Sequence, residues 1–141
     1  MPRLINNYVE TGKVRLVFKS LDFLGQGSYR AALASQCVWN QSPEAYWDWH
    51  SKVFSEQRGG NWPTVDNLVQ DAQDVEGVDA EALRSCLESE EYASAIQRHR
   101  SEASQMGVSA TPNLVINGTV VNGNNYQRVK SLIETELNNS N

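Results

Sequence analysis

The chain has 141 residues, 40% hydrophobic and 21% charged, enough for one globular domain with a buried core. Its 12 basic and 17 acidic residues give a net charge of −5, which argues against nucleic acid or an anionic membrane as a partner. No apolar run is long enough to span a membrane, and the opening stretch MPRLINNYVETGK lacks the apolar core of a secretory signal.

In chain order, residues 3–11 read as the last turns of a helix, with Gly12 as its stop. Residues 13–19, KVRLVFK, set Val14, Leu16 and Phe18 against Lys13, Arg15, Val17 and Lys19, the alternation of a strand. LDFLGQGS is a glycine-bearing loop, and its Gly-x-Gly lacks both the lysine of a P-loop and the third glycine of a dinucleotide fingerprint. An alanine-rich helix runs from about Ser28 to Asn40. Ser42-Pro43 opens the next one, which carries Tyr46, Trp47, Trp49, His50, Val53 and Phe54. After the loop RGGNWP, Pro63 or Thr64 starts a third helix through about Asp74. Asp79 caps a fourth, and a fifth covers roughly 90–106 and stops at Gly107. The pattern then changes to two short strands, NLVING and TVVNG, joined at Asn117-Gly118, a strong signal for a hairpin. An amphipathic helix over about 125–137 presents Val129, Leu132, Ile133 and Leu137 on one face.

Few residues invite a reactive reading. Cys37 and Cys86 are the only cysteines, too far apart for metal-type or Cys-x-x-Cys spacing. Cys37 sits mid-helix without a basic neighbour in sequence, and Cys86 sits late in a helix near Glu88 and Glu90. Neither has the lowered pKa of a nucleophilic thiol. His50 shares a helical face with Tyr46, Trp47, Val53 and Phe54 and reads as a packed histidine, whereas His99, in IQRHRSE, reads as solvated. The aromatic cluster at 46–49 reads as core. Asn40-Gln41-Ser42 and Asn117-Gly118-Thr119 match the glycosylation pattern, which is too short to carry weight.

The segments GKVRLVFKSLDFLGQGSYRAALAS, EAYWDWHSKVFSEQ, LRSCLESEEY and GVSATPNLVINGTVVNG, taken in order, resemble a thiol–disulfide oxidoreductase of the DsbA type, of the extracytoplasmic BdbD-like kind. The resemblance covers nearly the whole chain. It implies an α/β, thioredoxin-like fold, N-terminally truncated, within one domain over 1–141. A helical insertion would occupy about 28–106, and the thioredoxin part about 1–24 and 107–141. The sequence departs from the family pattern at its start: a family member carries a strand and a Cys-x-x-Cys before the position matching Met1. No catalytic residue can therefore be carried over, and no metal or cofactor is expected. Of the active-site motif only Thr111-Pro112 matches. Sequence alone favours a trans bond there, because only about 5–6% of X-Pro bonds are cis. The resemblance implies a cis bond, with Ala110, Thr111 and Pro112 forming a loop that binds an extended polypeptide or protein partner.

The resemblance, together with apolar neighbours around each cysteine, also implies a structural disulfide between Cys37 and Cys86. Two separate buried thiols are the alternative. A bridge would place the protein outside the cytoplasm, in a periplasm or cell envelope. Three functions stay open: an oxidoreductase domain without its N-terminal segment, a non-catalytic peptide-binding relative, and a structural or assembly unit. In the thioredoxin fold the strand before Cys-x-x-Cys separates the strands matching 13–19 and 113–117. Without it both expose unpaired edges, and the expected remedy is a homodimer with residues 1–19 and 113–117 close to the contact.

Overall fold

The computed structural model describes residues 2–57 and 62–140, so residues 58–61 of the expected RGGNWP loop lie outside the described residues. The chain divides into two compact units, residues 20–101 and residues 1–19 with 102–141.

The first unit is helical: α2 (Gln26–Gln41), α3 (Tyr46–Ser55), α4 (Val65–Gln73), α5 (Ala80–Glu88) and most of α6 (Ala93–Gln105). Side chains three and four apart put one face of each helix inward. Leu33 and Val38 of α2, Trp49 of α3, Leu68 of α4, Leu83 of α5 and Ile96 of α6 are almost wholly buried in one core. Two of these helices start on a side-chain cap. Thr64 and Asn67 form a reciprocal capping box: the Asn67 N–H donates to Thr64 Oγ1 at 3.2 Å and the Thr64 N–H to Asn67 Oδ1 at 3.0 Å. Asp79 accepts from the Ala82 N–H at 2.9 Å. The start expected at Ser42-Pro43 lies three residues later. Ser42 Oγ accepts from the Ala45 N–H at 3.2 Å, which holds residues 43–45 in a turn, and α3 begins at Tyr46. Cys37 of α2 and Cys86 of α5 are joined by a disulfide in this core, with Cα atoms 6.1 Å apart.

The second unit holds α1 (Pro2–Leu4), which continues into a π-helical turn over Ile5–Val9, then β1 (Asn113–Ile116), β2 (Thr119–Asn122) and α7 (Tyr126–Asn139). β1 and β2 pair antiparallel in the register Asn113↔Asn122 to Ile116↔Thr119. The two residues between them are Asn117, φ +45°, and Gly118, φ +90°, both in the left-handed region that a type I′ turn requires. One face of the hairpin packs on α7 and the N-terminal helix. Tyr8, Val121, Val129 and Ile133 are buried there, with Val14, Leu114 and Ile116 against them. The Tyr8 hydroxyl donates to Glu134 at 3.0 Å.

Residues 13–19 do not form the expected strand. Residues 14–20 are irregular, and among the described residues the only sheet is the β1–β2 pair. The alternation survives in part as burial: Val14 and Leu16 are half-buried while Arg15 and Val17 are exposed, but Phe18, expected on the inner side, is exposed as well. Period two in a sequence reports which side of an extended segment faces the interior. A ladder also needs a neighbouring strand, which no local pattern encodes.

Candidate functional site

The candidate site is the loop between α6 and β1. The end of α6 carries a Schellman-type pair of hydrogen bonds, from the Gly107 N–H to Ser104 O at 3.1 Å and from the Val108 N–H to Ala103 O at 2.8 Å. These turn the chain sharply into residues 109–112. Ala110, Thr111 and Pro112 are exposed, and the Thr111–Pro112 bond is cis. Two contacts pin the loop. Asn113 Nδ2 donates to Ala110 O at 3.0 Å, and the Gly123 N–H donates to Pro112 O at 2.9 Å. A Cβ on Gly123 would lie 3.2 Å from both Pro112 Cβ and Pro112 O, so the backbone after β2 lies close against the proline and a side chain there would make Pro112 give by a few tenths of an ångström. This support is invisible in the sequence, where Gly123 is merely one glycine after Asn122.

Among the described residues β1 pairs with β2 alone, on one of its two edges. With a two-residue turn, Ile116↔Thr119 and Leu114↔Val121 are the hydrogen-bonded pairs, so the N–H and C=O groups of Asn113 and Val115 point away from β2. The side of β1 away from β2 thus offers the N–H and C=O groups of Asn113 and Val115, while the carbonyls of Ala110 and Pro112 in the loop are already bonded. Above them Val115 and Val120, directly opposite each other, are 40% and 37% exposed, an apolar cross-strand pair with one side in solvent.

Cys37 and Cys86 are far from a reactive role. They are bonded to each other, and Cys37 is almost wholly buried. His50 is half-buried against the rings of Trp47, at 5.5 Å, and Phe54, at 4.6 Å, and burial holds its pKa below the usual histidine value. Burial pushes the Tyr46 hydroxyl up to about 12. Tyr46 and Trp49 are core, but Trp47 is exposed, so the aromatic run is only partly interior. His99 is half-buried rather than solvated. Among the described residues no group of three or more His, Cys, Asp or Glu side chains could hold a metal ion, and no helix is long and apolar enough to cross a membrane.

Sequence reasoning also missed a cleft in the helical unit. There Asp22, with a fully buried carboxylate, is held by Nε and Nη2 of Arg100. An aspartate in a loop gives no local sign that it will be buried; the signal is the distant arginine, 78 positions on.

Comparison with known proteins fits this geometry. A family model described as thioredoxin matches residues 1–135. The fold is thioredoxin-like, mostly helical with a small two-stranded sheet. The chain is 32% identical over 139 residues to disulfide bond formation protein D of Bacillus subtilis (strain 168), a match spanning 96% of this chain and 63% of that protein. It is 26% identical over 140 residues to a probable disulfide bond formation protein D of Bacillus cereus, with 97% of this chain and 64% of the relative covered. The chain thus spans a little under two thirds of the length of these relatives. Among solved structures, oxidised BdbD from Bacillus subtilis superposes with a TM-score of 0.90 at 32% identity, covering 98% of this chain and 76% of that one. DsbA from Chlamydia trachomatis shares the fold, with a TM-score of 0.77 at 22% identity over 96% of this chain and 74% of that one. The chain belongs to the DsbA-type family of thioredoxin-like thiol–disulfide oxidoreductases.

Proposed function

We propose that this chain supplies the polypeptide-docking part of a protein that makes or exchanges disulfide bonds in polypeptide substrates outside the cytoplasm. The observation that carries the reading is the pinned, exposed loop at Ala110, Thr111 and Pro112, continuous with the open edge of β1. An extended peptide would add to that edge as a further strand, with backbone hydrogen bonds giving affinity and the exposed valines giving apolar contact. The Cys37–Cys86 bridge supports an oxidising compartment, because such bonds persist outside the cytoplasm. The chain itself carries no vicinal dithiol, so it docks substrate without turning it over: release of a mixed disulfide needs a second nearby thiol. The same open edge suits a second copy, and an isologous dimer is the expected state when no peptide is present.

The test is a fluorescence-anisotropy titration of the full chain with a labelled decapeptide of alternating valine and threonine. Binding is expected, weakened at least tenfold by Val115→Pro, which removes an outward N–H, and by Ala110→Glu. Unchanged affinity in both variants, at unchanged melting temperature, overturns the docking edge. Turnover of a dithiol substrate by this chain, abolished by Cys37→Ala, overturns the passive role.

A further inference from the structure

We propose that the cleft of the helical unit seats a basic side chain, lysine or arginine, of a partner polypeptide; this rests on the reading that the partner is a polypeptide. The cleft has a volume of about 760 Å³ and lies between the loop before α2 and the start of α6. Three charged groups line it: Asp22, Glu90 and Arg100. Asp22 and Arg100 neutralise each other, since the buried Asp22 carboxylate takes both Nε and Nη2 of the guanidinium. Glu90 is left as the uncompensated charge. It is exposed, and among the described residues its side chain takes only a long, neutral hydrogen bond from the Tyr29 hydroxyl at 3.4 Å. The end of α2 at Gly25 also borders the cleft, without a side-chain cap. A helix N-terminus contributes only about half a positive charge, less than the full negative charge of Glu90. The cleft therefore favours a cation.

The rest of the lining suits a lysine or arginine rather than a bare ion. Arg100 Cζ lies 5.9 Å from the centroid of the Tyr29 ring, so that ring is already engaged and Glu90 is the group left to meet a guest's charge. Phe23, which lines the cleft, is 49% exposed, and Leu24, next to it in the chain, is 75% exposed. They offer apolar surface to the methylene stem of a basic side chain and to apolar neighbours of that side chain in the partner. A carboxylate and an apolar rim match a basic residue flanked by apolar ones.

Isothermal titration calorimetry of the full chain with the blocked pentapeptides Ala-Leu-Lys-Leu-Ala, Ala-Leu-norleucine-Leu-Ala and Ala-Leu-Glu-Leu-Ala tests this. The lysine peptide should bind at least fivefold tighter than the norleucine peptide, and the glutamate peptide weakest. Glu90→Gln should remove the lysine preference, and Phe23→Ser should weaken lysine and norleucine peptides alike. Equal affinity of lysine and norleucine peptides, a preference for glutamate, or a lysine preference that survives Glu90→Gln overturns the proposal. Each of those results leaves the β1 docking edge standing, because the uncharged decapeptide reads that edge separately. Binding of no pentapeptide while the decapeptide binds overturns the cleft alone; binding of neither overturns both.

Discussion

Removing the Cys37–Cys86 bridge is a large perturbation of the helical unit. The two cysteines are 49 positions apart, so the closed loop takes in part of α2, all of α3 and α4, and most of α5. On the chain-entropy model, a loop of about 50 residues lowers the entropy of the unfolded chain by about 14 cal/mol/K, or about 4 kcal/mol at 25 °C. That is a large share of the roughly 5–15 kcal/mol by which domains of this size are stable. The double variant Cys37→Ala/Cys86→Ala keeps both positions apolar, so the loss of the constraint dominates the loss of packing. For a chain of this length 1 kcal/mol corresponds to roughly 3–4 °C, and the melting temperature should fall by about 12–16 °C. Far-ultraviolet circular dichroism on heating reads this directly, because the helices carry the signal. Wild-type protein in excess dithiothreitol should melt close to the double variant. A fall of less than about 3 °C in both would refute the argument, since it would mean that the loop is already held closed in the unfolded chain.

Three further expectations follow from packing and titration. Leu83→Ala, at a site with no exposure in the helical core, should destabilise by about 2–5 kcal/mol in a denaturant titration. Gly123→Ala brings a methyl group to 3.2 Å from Pro112 and should shift the amide resonances of Thr111 and Asn113, which a purely global change of stability would leave in place. His50 titrates lower in the folded chain than in the unfolded one because of burial, so the unfolded state binds more protons as pH falls below about 6.5. Its contribution to stability is therefore present at neutral pH and lost on acidification, and His50→Gln should flatten the dependence of melting temperature on pH between pH 7 and pH 5.5.

Local chemistry was legible wherever it is local in origin. Asn117-Gly118 announced its turn, Thr64 and Asp79 announced their helices, and the spacing of Val129 and Ile133 announced the buried face of α7. The family-like order of segments carried the fold beyond what periodicity could. Features that depend on distant partners were not legible. Residues 13–19 alternate like a strand, yet whether an extended segment gains a ladder depends on a neighbour. Ser42-Pro43 has the composition of a helix start, but the Ser42 hydroxyl closes a turn first. Asp22 reads as one more loop aspartate until Arg100 is placed beside it, and Gly123 reads as ordinary until the Pro112 carbonyl lies against it. The candidate site is thus visible in sequence as the short string Ala110–Thr111–Pro112, while its supports and the cleft come only from the fold.

The docking edge is tested most directly by amide chemical-shift perturbation on the isotope-labelled full chain, titrated with the alternating valine–threonine decapeptide. The account predicts that the largest shifts fall on Thr111, Asn113 and Val115, whose backbone lies along the loop and the open side of β1, with little change at Leu114 and Val121, which bond to each other. Shifts confined to the helical unit, or none at saturating peptide, would contradict it.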